Sequence, residues 1–289
     1  MKHLLICLIL SLSAFSARAE SLKIVADVTP VAAIAAGIVS KDQEVKTLIP
    51  PNSSPHDFTL RPSDIQALRD AALILWSGED TTPTLEKLLT SPAFVDKTID
   101  LSSLKGVFQL PLRETEDQEN DENQGHFDPH LWLSPQNALI WVDVLTAELA
   151  RLDPSHAPDL QDRSRALRAD IDSVVAEAQT TFAKTPKRAF IQYHDAFAYF
   201  ETTFGLEPIG VATLDDEENA SLGKIAKLRD IATAEPSICV MTSHPSQSRA
   251  ARNLLVAKDS YLISAEPLRA ESYPDLLSAL SDSFRACLY

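Results

Sequence analysis

Glycine is scarce in this chain, which restricts how freely the backbone can bend. The sequence contains 7 glycines among 289 residues, roughly 2%, whereas globular proteins average about 7%. Its 18 prolines stiffen the backbone further, because the proline ring fixes one dihedral angle. A chain with so few flexible backbone positions is expected to form a rigid protein rather than one whose domains undergo a large hinge motion.

Long apolar runs are missing beyond the first 19 residues. Within those residues, Lys2 and His3 precede the apolar stretch LLICLILSLSAF, and the small residues of ARA stand directly before Glu20. This order is typical of a secretory signal peptide, and the apolar stretch is shorter than the ~20 residues that a membrane span needs. We therefore expect residues 1–19 to be removed on export and the mature chain to be soluble; a retained N-terminal anchor is the alternative.

A surplus of positive charge is also missing. Removal of residues 1–19 takes away Lys2 and Arg18 but no acid, so the formal charge of the mature chain is 24 minus 41, or −17. Such a surface repels nucleic acids and anionic membranes, and we expect no nucleic-acid partner. It would weakly concentrate cations, although acidity can also serve solubility alone.

Cysteine is rare, and only Cys239 and Cys287 remain after export. An oxidising compartment favours a disulfide between them, which would tie the last residues of the chain back onto a strand. Two free thiols are the alternative.

Short apolar segments alternate with helical segments along the mature chain. The eight candidate strands are 22–27, 44–49, 72–77, 97–102, 188–194, 205–211, 237–243 and 260–266. This alternation is typical of βα units and of a mainly parallel sheet. We predict an α/β fold of two similar lobes, each with a mainly parallel four-stranded sheet, joined by a long rigid backbone helix.

The predicted domain order follows from this alternation. After the signal peptide at 1–19, an N-terminal α/β lobe covers residues 20–150, a linking helix covers 151–186 and a C-terminal α/β lobe covers 187–289. An acidic loop at about 113–125 interrupts the first lobe. Because that loop is almost entirely acidic and amide residues, it is expected to lack order.

Helix starts are marked at two places in the sequence. Ser63 can cap a helix, with Gln66 completing a capping box three residues later, and Ser134 followed by Pro135 is a cap with proline in the first turn. The longest helix is predicted at about 157–183, where apolar side chains recur at intervals of three, four or seven residues.

Three histidines and one carboxylate follow predicted strands. His56 stands in the loop after the second strand, His130 beyond the fourth strand and the acidic loop, His194 at the end of the fifth strand and Glu266 at the end of the eighth. Ligands of open α/β sheets gather at the carboxyl ends of strands, so two lobes with these ends facing inward would bring the four side chains into one cleft. Three imidazoles and a carboxylate form a tetrahedral set suited to zinc. Nitrogen-rich sites also suit copper, iron and nickel, whereas manganese and calcium prefer oxygen ligands.

Each proposed ligand has a structural alternative. His56 could be a surface-loop residue, His130 a structural histidine and His194 a satisfied core histidine, while Glu266 could cap a helix or face solvent. His244 also follows a strand, the seventh, and could replace Glu266 as the fourth ligand.

Aspartates close to the proposed ligands are candidates for supporting the metal-binding histidines, and two other histidines are expected to lie outside the site. Asp57, Asp128 and Asp195 each lie within two residues of a proposed histidine ligand. One or two of them are expected to accept the other imidazole N–H and so fix the tautomer, with a solvated turn as the alternative for each. His126 is expected to be loosely placed at the end of the acidic loop, and His156 to be exposed.

Five motifs taken together resemble one family, the ZnuA-type periplasmic zinc-binding proteins of bacterial ABC importers. The motifs are SPHDFTLRPSD, WSGEDTTPTLEKLL, DPHLWLSP, QYHDAFAYF and AEPLRAESYPDLL, and the likeness extends over nearly the whole mature chain. Three features depart from the family pattern. A loop that is usually rich in histidine is acidic here, and the closing carboxylate is Glu266 where the family usually has aspartate. His244 stands where relatives more often have a glutamate.

The resemblance implies a fold and a function. It implies two lobes joined by a helical backbone, with His56, His130 and His194 as ligands of Zn²⁺ and Glu266 at the carboxylate position. It also implies a monomer in the periplasm that delivers the ion to the permease and ATPase of an inner-membrane ABC transporter. Manganese-type relatives carry glutamate where His194 stands, so this histidine favours zinc.

The resulting expectation is a carrier that binds zinc as its cargo and catalyses no reaction. The alternatives are a manganese or iron carrier of the same family and a zinc-dependent hydrolase. The hydrolase would need an open coordination position and a general base, and the sequence contains no HExxH motif that would supply them. The acidic loop is expected to be either a solvated linker or a segment that weakly attracts cations.

Overall fold

The structure of the protein, a computed structural model, describes residues 22–40, 43–51, 53–56, 58–113, 126–184, 187–214, 220–266 and 271–289. The predicted signal peptide, residues 114–125 of the predicted acidic loop and Asp57 lie outside these ranges. None of the helices within these ranges combines the length and the apolar character that a membrane span requires.

The N-terminal lobe is built on a four-stranded sheet in which every strand pair is parallel, in the order β2-β1-β3-β4. Its strands are β1 (Lys23–Ala26), β2 (Glu44–Thr47), β3 (Leu73–Trp76) and β4 (Thr98–Asp100). Its helices are α1 (Thr29–Ile38), α2 (Pro62–Asp70) and α3 (Pro83–Leu89). All four residues of β3 are buried, as expected of a strand that is covered on both faces of a parallel sheet.

The C-terminal lobe repeats this plan, with parallel strands in the order β6-β5-β7-β8. Its strands are β5 (Ala189–His194), β6 (Gly210–Thr213), β7 (Ser237–Thr242) and β8 (Asp259–Ser264). Its helices are α6 (Ala198–Phe204), α7 (Leu222–Ala234), α8 (Ser248–Ala251) and α9 (Tyr273–Leu288). The prediction of two similar α/β lobes with four-stranded parallel sheets is confirmed.

Two helices, α4 (Pro135–Leu152) and α5 (Ala157–Phe182), connect the lobes. The hydroxyl of Ser134 accepts the backbone N–H of Asn137 at 3.2 Å, so the predicted cap of α4 is confirmed. Helix α5 has 26 residues and is therefore about 39 Å long at 1.5 Å per residue. Its fully buried apolar side chains are Leu160, Leu167, Ile171, Ala178 and Phe182, which confirms the predicted apolar spacing.

One hydrophobic core runs through both lobes. It extends from Ile24 on β1 to Phe190 on β5 and Phe284 on α9. Phe182, the last residue of α5, has its ring centre 6.0 Å from that of Phe200 on α6 and 6.4 Å from that of Phe284. Because close-packed interiors resist deformation, a core shared in this way agrees with the stiff body that the shortage of glycine predicts.

A disulfide closes the C-terminal lobe. Cys239 on β7 and Cys287 on α9 are bonded with their Cα atoms 5.4 Å apart, within the usual range for disulfides. Both residues are fully buried. The predicted link between the end of the chain and a strand is confirmed.

The predicted capping box of α2 is wrong. The helix begins at Pro62, before Ser63, and the backbone N–H of Arg61 donates to Oδ2 of Asp64 at 2.9 Å. The box is therefore shifted by two residues, because Pro62 takes the first helical position, where its missing N–H costs nothing.

The predicted strand at 205–211 also begins too early. Helix α6 ends at Phe204, and Gly205 follows it with φ of 62°, a left-handed conformation that glycine adopts without steric cost. Strand β6 begins only at Gly210. The first half of the predicted strand is instead the exit from a helix.

Candidate metal site

Three imidazole rings lie side by side where the two lobes meet. The ring centre of His130 is 5.7 Å from that of His56 and 5.1 Å from that of His194. His56 follows β2 and His130 follows β4 of the N-terminal sheet, whereas His194 is the last residue of β5 in the C-terminal sheet. The fold therefore brings together three of the residues that strand-end positions single out in the sequence.

The spacing of these rings suits a shared metal ion. Three imidazole nitrogens about 2 Å from one tetrahedral zinc ion would place their ring centres roughly 5 Å apart. In the part of the chain that the structure describes, no group of three or more His, Cys, Asp or Glu side chains is placed so that it could hold a metal ion as it stands. The three rings are thus adjacent but not yet placed to bind one ion. The ring centres of His56 and His130 are farther apart than those of His130 and His194, so His56 would have to move most to share a metal ion.

His130 is held by Asp128. One carboxylate oxygen, Oδ1 of Asp128, accepts the backbone N–H of His130 at 2.8 Å and lies 3.0 Å from its ring Nδ1. Both side chains are almost fully buried. A carboxylate beside Nδ1 fixes the tautomer that presents Nε2 to a metal, as predicted for one of the neighbouring aspartates.

Burial controls the ionisation of this aspartate. It raises the pKa of Asp128 to about 7, while the backbone N–H of His130 and the positive charges of Arg113 and His56 act in the opposite direction. A cation held by the neighbouring imidazoles would favour the ionised carboxylate further.

Three buried hydroxyl groups hold the backbone on either side of His130. Tyr199 donates to the carbonyl of Asp128, Thr81 to that of Pro129 and Tyr273 to that of Trp132, at 3.1, 2.7 and 2.7 Å. Residues from α6 and α9 and from the loop after β3 thus meet around this one short segment, which explains why His130 has a fixed position.

His194 has a different partner from the one the sequence suggests. Its ring Nδ1 lies 2.9 Å from the hydroxyl of Ser243, which follows β7, and the residue is 2% exposed. The neighbouring Asp195 binds Arg113 through its carboxylate. Ser243 therefore takes the place at Nδ1 that was predicted for an aspartate, and only the pairing of β5 with β7 brings it there.

His56 is the least enclosed of the three rings. It is half-buried, and its backbone N–H donates to the hydroxyl of Ser54 at 3.3 Å. Pro55 and Phe58 on either side are buried, and the carbonyl of Phe58 accepts the hydroxyl of Thr84 on α3 at 2.8 Å. The loop is thus anchored on both sides of a histidine that keeps some freedom.

The two candidates for a fourth ligand differ in their surroundings. Glu266 stands two residues beyond β8 and is half-buried, and the backbone N–H of Ala265 before it donates to the carbonyl of Thr242 at 2.8 Å. The ring Nδ1 of His244 accepts the backbone N–H of Ser246 at 3.2 Å, in an exposed turn. His244 is therefore engaged within its own turn, and Glu266 stays the predicted fourth ligand.

Two further histidines contact carboxylates at exposed positions. His126 has its Nδ1 2.7 Å from Oδ1 of Asp80, and His156 has its Nδ1 2.6 Å from Oδ2 of Asp153. About half of each histidine side chain is exposed. The exposed position predicted for His156 is confirmed, whereas His126 is paired rather than loose.

A buried ionic network beside His194 was not predicted from the sequence. Arg113 binds Asp195 through Nε at 2.9 Å and Glu201 through a terminal nitrogen at 2.8 Å. The amide of Gln192 donates to the second oxygen of Glu201. Burial raises the pKa of Glu201 to about 8, and the charge of Arg113 only partly offsets this rise.

Comparison with protein families agrees with this geometry. The family model described as "ZnuA: Zinc-uptake complex component A periplasmic" matches residues 24–287, which is nearly the whole described chain. A curated relative, the high-affinity zinc uptake system protein ZnuA of Yersinia pestis, is 29% identical over 93% of this chain and 92% of its own length.

Solved structures share the fold. A crystal structure of ZnuA superposes with a TM-score of 0.78 at 22% identity and covers 93% of this chain and 100% of its own. A zinc-bound deletion mutant of ZnuA gives a TM-score of 0.74 at 23% identity, covering 93% of this chain and 98% of its own. At these identities the likeness establishes the two-lobed fold.

Proposed function

The chain belongs to the ZnuA family of periplasmic zinc-uptake components, and from this membership we propose that it captures Zn²⁺ between its lobes and carries it to a transporter. The single observation that supports this function most directly is the meeting of His56, His130 and His194 from opposite lobes, with ring centres 5.1 and 5.7 Å apart.

The proposed ligand set is the Nε2 atoms of His130 and His194, one ring nitrogen of His56, and the carboxylate of Glu266. Asp128 and Ser243 occupy the Nδ1 side of His130 and His194, which supports coordination through the opposite nitrogen. Because the rings have not converged, we expect zinc to draw His56 toward the other two rings by on the order of 1 Å at ordinary zinc–nitrogen distances.

The donor set argues for zinc over manganese. Three imidazole nitrogens and one oxygen match the tetrahedral sites of zinc, whereas manganese favours oxygen-rich sites. The proposed protein is a carrier and not an enzyme, since the ligands would enclose the ion and leave no position for an activated water.

The proposed cellular setting follows from the family and the sequence. Residues 1–19 are removed as a signal peptide, and the mature monomer consists of lobes at 20–150 and 187–289 with the linking helix at 151–186. It works in the periplasm and delivers zinc to the permease of an inner-membrane ABC transporter, which the ATPase of that transporter powers.

Zinc titration of a matched pair of variants tests the proposal. His194→Ala removes a proposed ligand, and we expect it to weaken zinc binding at least about 100-fold, because three ligands hold zinc far less tightly than four. His156→Ala removes an exposed histidine whose ring contacts Asp153 and Ser155 and should leave the affinity unchanged. Competition titration against a zinc chelator measures both; equal affinities for the two variants would refute the site.

A further inference from the structure

We propose that Arg113 is a positioning residue that slows the release of zinc, because it ties the side chain of Asp195, the residue after His194, to the segment that holds His130. The inference rests on the function proposed above and adds to it a residue that is not itself a ligand.

The first half of this connection is at Leu110. Its carbonyl accepts the backbone N–H of Asp128 at 2.7 Å, and its backbone N–H donates to the hydroxyl of Tyr199 at 2.9 Å. Tyr199 in turn donates to the carbonyl of Asp128 at 3.1 Å. The segment 110–113, which we call the strap, is therefore bonded at one end to the residue whose carboxylate holds His130.

The second half is at Arg113. Its guanidinium binds Oδ2 of Asp195 at 2.9 Å and Oε2 of Glu201 at 2.8 Å. The two carboxylate side chains are 4% and 3% exposed, whereas that of Arg113 is 34% exposed. Hydrogen bonds from an ionised guanidinium to buried carboxyl oxygens are short and strong, so the strap is firmly attached to Asp195, the residue that follows His194.

The strap thus joins the surroundings of two proposed ligands from different lobes. A zinc ion bound to both His130 and His194 cannot leave until these imidazoles separate. Separation moves Asp128 away from Asp195, and the strap, bonded near both, resists that movement. The strap is already formed in this structure, where the rings are adjacent, so it pre-organises the site before the ion arrives, and its loss should lower the affinity. Arg113 should therefore act mainly on the dissociation rate, the quantity in which most affinity differences among variants appear.

A purely structural role for Arg113 makes a different prediction. If the guanidinium only compensates the buried charges of Asp195 and Glu201, its loss should lower stability and leave zinc kinetics unchanged. The two roles are separated by measuring zinc release and thermal stability on the same variants.

The experiment uses stopped-flow release of zinc from the loaded protein into excess chelator. Arg113→Met should release zinc at least about tenfold faster, in line with the effect of residues that support metal ligands, with an association rate that changes less than about threefold. Arg113→Lys should give an intermediate rate, because lysine keeps the charge but cannot bind two carboxylates at once in the way a guanidinium does.

The matched control is Arg151→Met. Arg151 also binds a carboxylate, that of Glu148, through Nε and a terminal nitrogen, but it does so on the exposed face of α4. It should release zinc at the wild-type rate.

The outcomes are distinct. Equal release from the Arg113→Met and Arg151→Met proteins overturns the role of Arg113 and leaves zinc carriage intact, whereas a wild-type protein that binds no zinc overturns both. Should Arg113→Met not fold, Arg113→Lys and Glu201→Gln take its place, because each weakens the attachment while keeping all proposed ligands. Wild-type release rates in both would then overturn the proposal. Visible spectra of the Co²⁺-loaded variants should match the wild type, since Arg113 does not bind the metal.

Discussion

Asp128 Oδ1 contacts one residue twice: it accepts the backbone N–H of His130 at 2.8 Å and lies 3.0 Å from the ring Nδ1 of the same histidine. The backbone contact fixes where the residue stands, and the ring contact fixes how the imidazole is turned. A single buried carboxylate thus sets both the position and the tautomer of the central ring of the site.

Asp128→Ala should lower zinc affinity about 10- to 100-fold, because supporting carboxylates of metal-bound histidines typically contribute that much. Asp128→Asn should lose less, since the amide oxygen can still accept both hydrogen bonds. The exposed pair of Asp153 and His156 provides the control: Asp153→Ala should bind zinc as the wild type does. Chelator competition at constant pH measures all three, and full affinity in Asp128→Ala would contradict the role assigned to this carboxylate.

Removal of the disulfide should destabilise the protein without touching the proposed ligands. The bond spans 48 residues between Cys239 and Cys287, and a loop of that length corresponds to about 4 kcal/mol of stabilisation in the chain-entropy account. We expect Cys239→Ala combined with Cys287→Ala to lower the free energy of unfolding in urea by about this amount. Wild-type protein unfolded under reducing conditions should approach the double variant, and an unchanged unfolding midpoint in both would contradict the expectation.

The buried carboxylate of Glu201 should make stability fall as pH rises. Its pKa is about 8 in the folded protein and near 4.5 in an unfolded chain, so between these values the folded state keeps a proton that the unfolded state has lost. The resulting contribution is complete below pH 4.5 and disappears as pH passes 8, with a limiting slope of about −1.4 kcal/mol per pH unit.

Glu201→Gln should flatten this dependence, most clearly between pH 7 and 8, above the range in which Asp27 and Asp128, with pKa values of about 6 and 7, also contribute. Urea unfolding of metal-free protein across that interval measures the slope. Glu148→Gln is the control, because Glu148 is a partly exposed carboxylate whose pKa is lowered by its bond to Arg151; the slope of this variant should match the wild type. An equally steep slope in Glu201→Gln would assign the titration to another group.

The sequence carries strong local signals for most of the fold. Alternating apolar segments and helical periods predict both sheets and the long helix, since these patterns depend on neighbouring residues. The strand-end positions of His56, His130 and His194 likewise predict their meeting, because parallel strands end at the same edge of a sheet.

What could not be predicted depends on contacts between distant segments. Ser243 reaches His194 only because β7 pairs with β5, and Arg113 reaches Asp195 and Glu201 across more than 80 positions of the chain. No local pattern encodes such contacts. The wrong start of the predicted strand at residue 205 has another cause. Apolar residues follow Gly205 and resemble a strand, but the left-handed conformation of this glycine is set by the end of α6 before it.

Helices α5 and α9 share one hydrophobic core with both sheets. This shared core limits how a transporter could distinguish the zinc-bound protein from the zinc-free protein. Ile24 on β1, Phe190 on β5 and Phe284 on α9 belong to one hydrophobic core, so a change in the angle between the lobes would disturb close-packed side chains and is a poor signal of occupancy. The difference would have to be recognised at the surface around His56, where the proposed movement of its loop on zinc binding would change the shape that a partner meets. A transporter partner would then recognise a small patch of altered surface, and it would need to touch that patch directly.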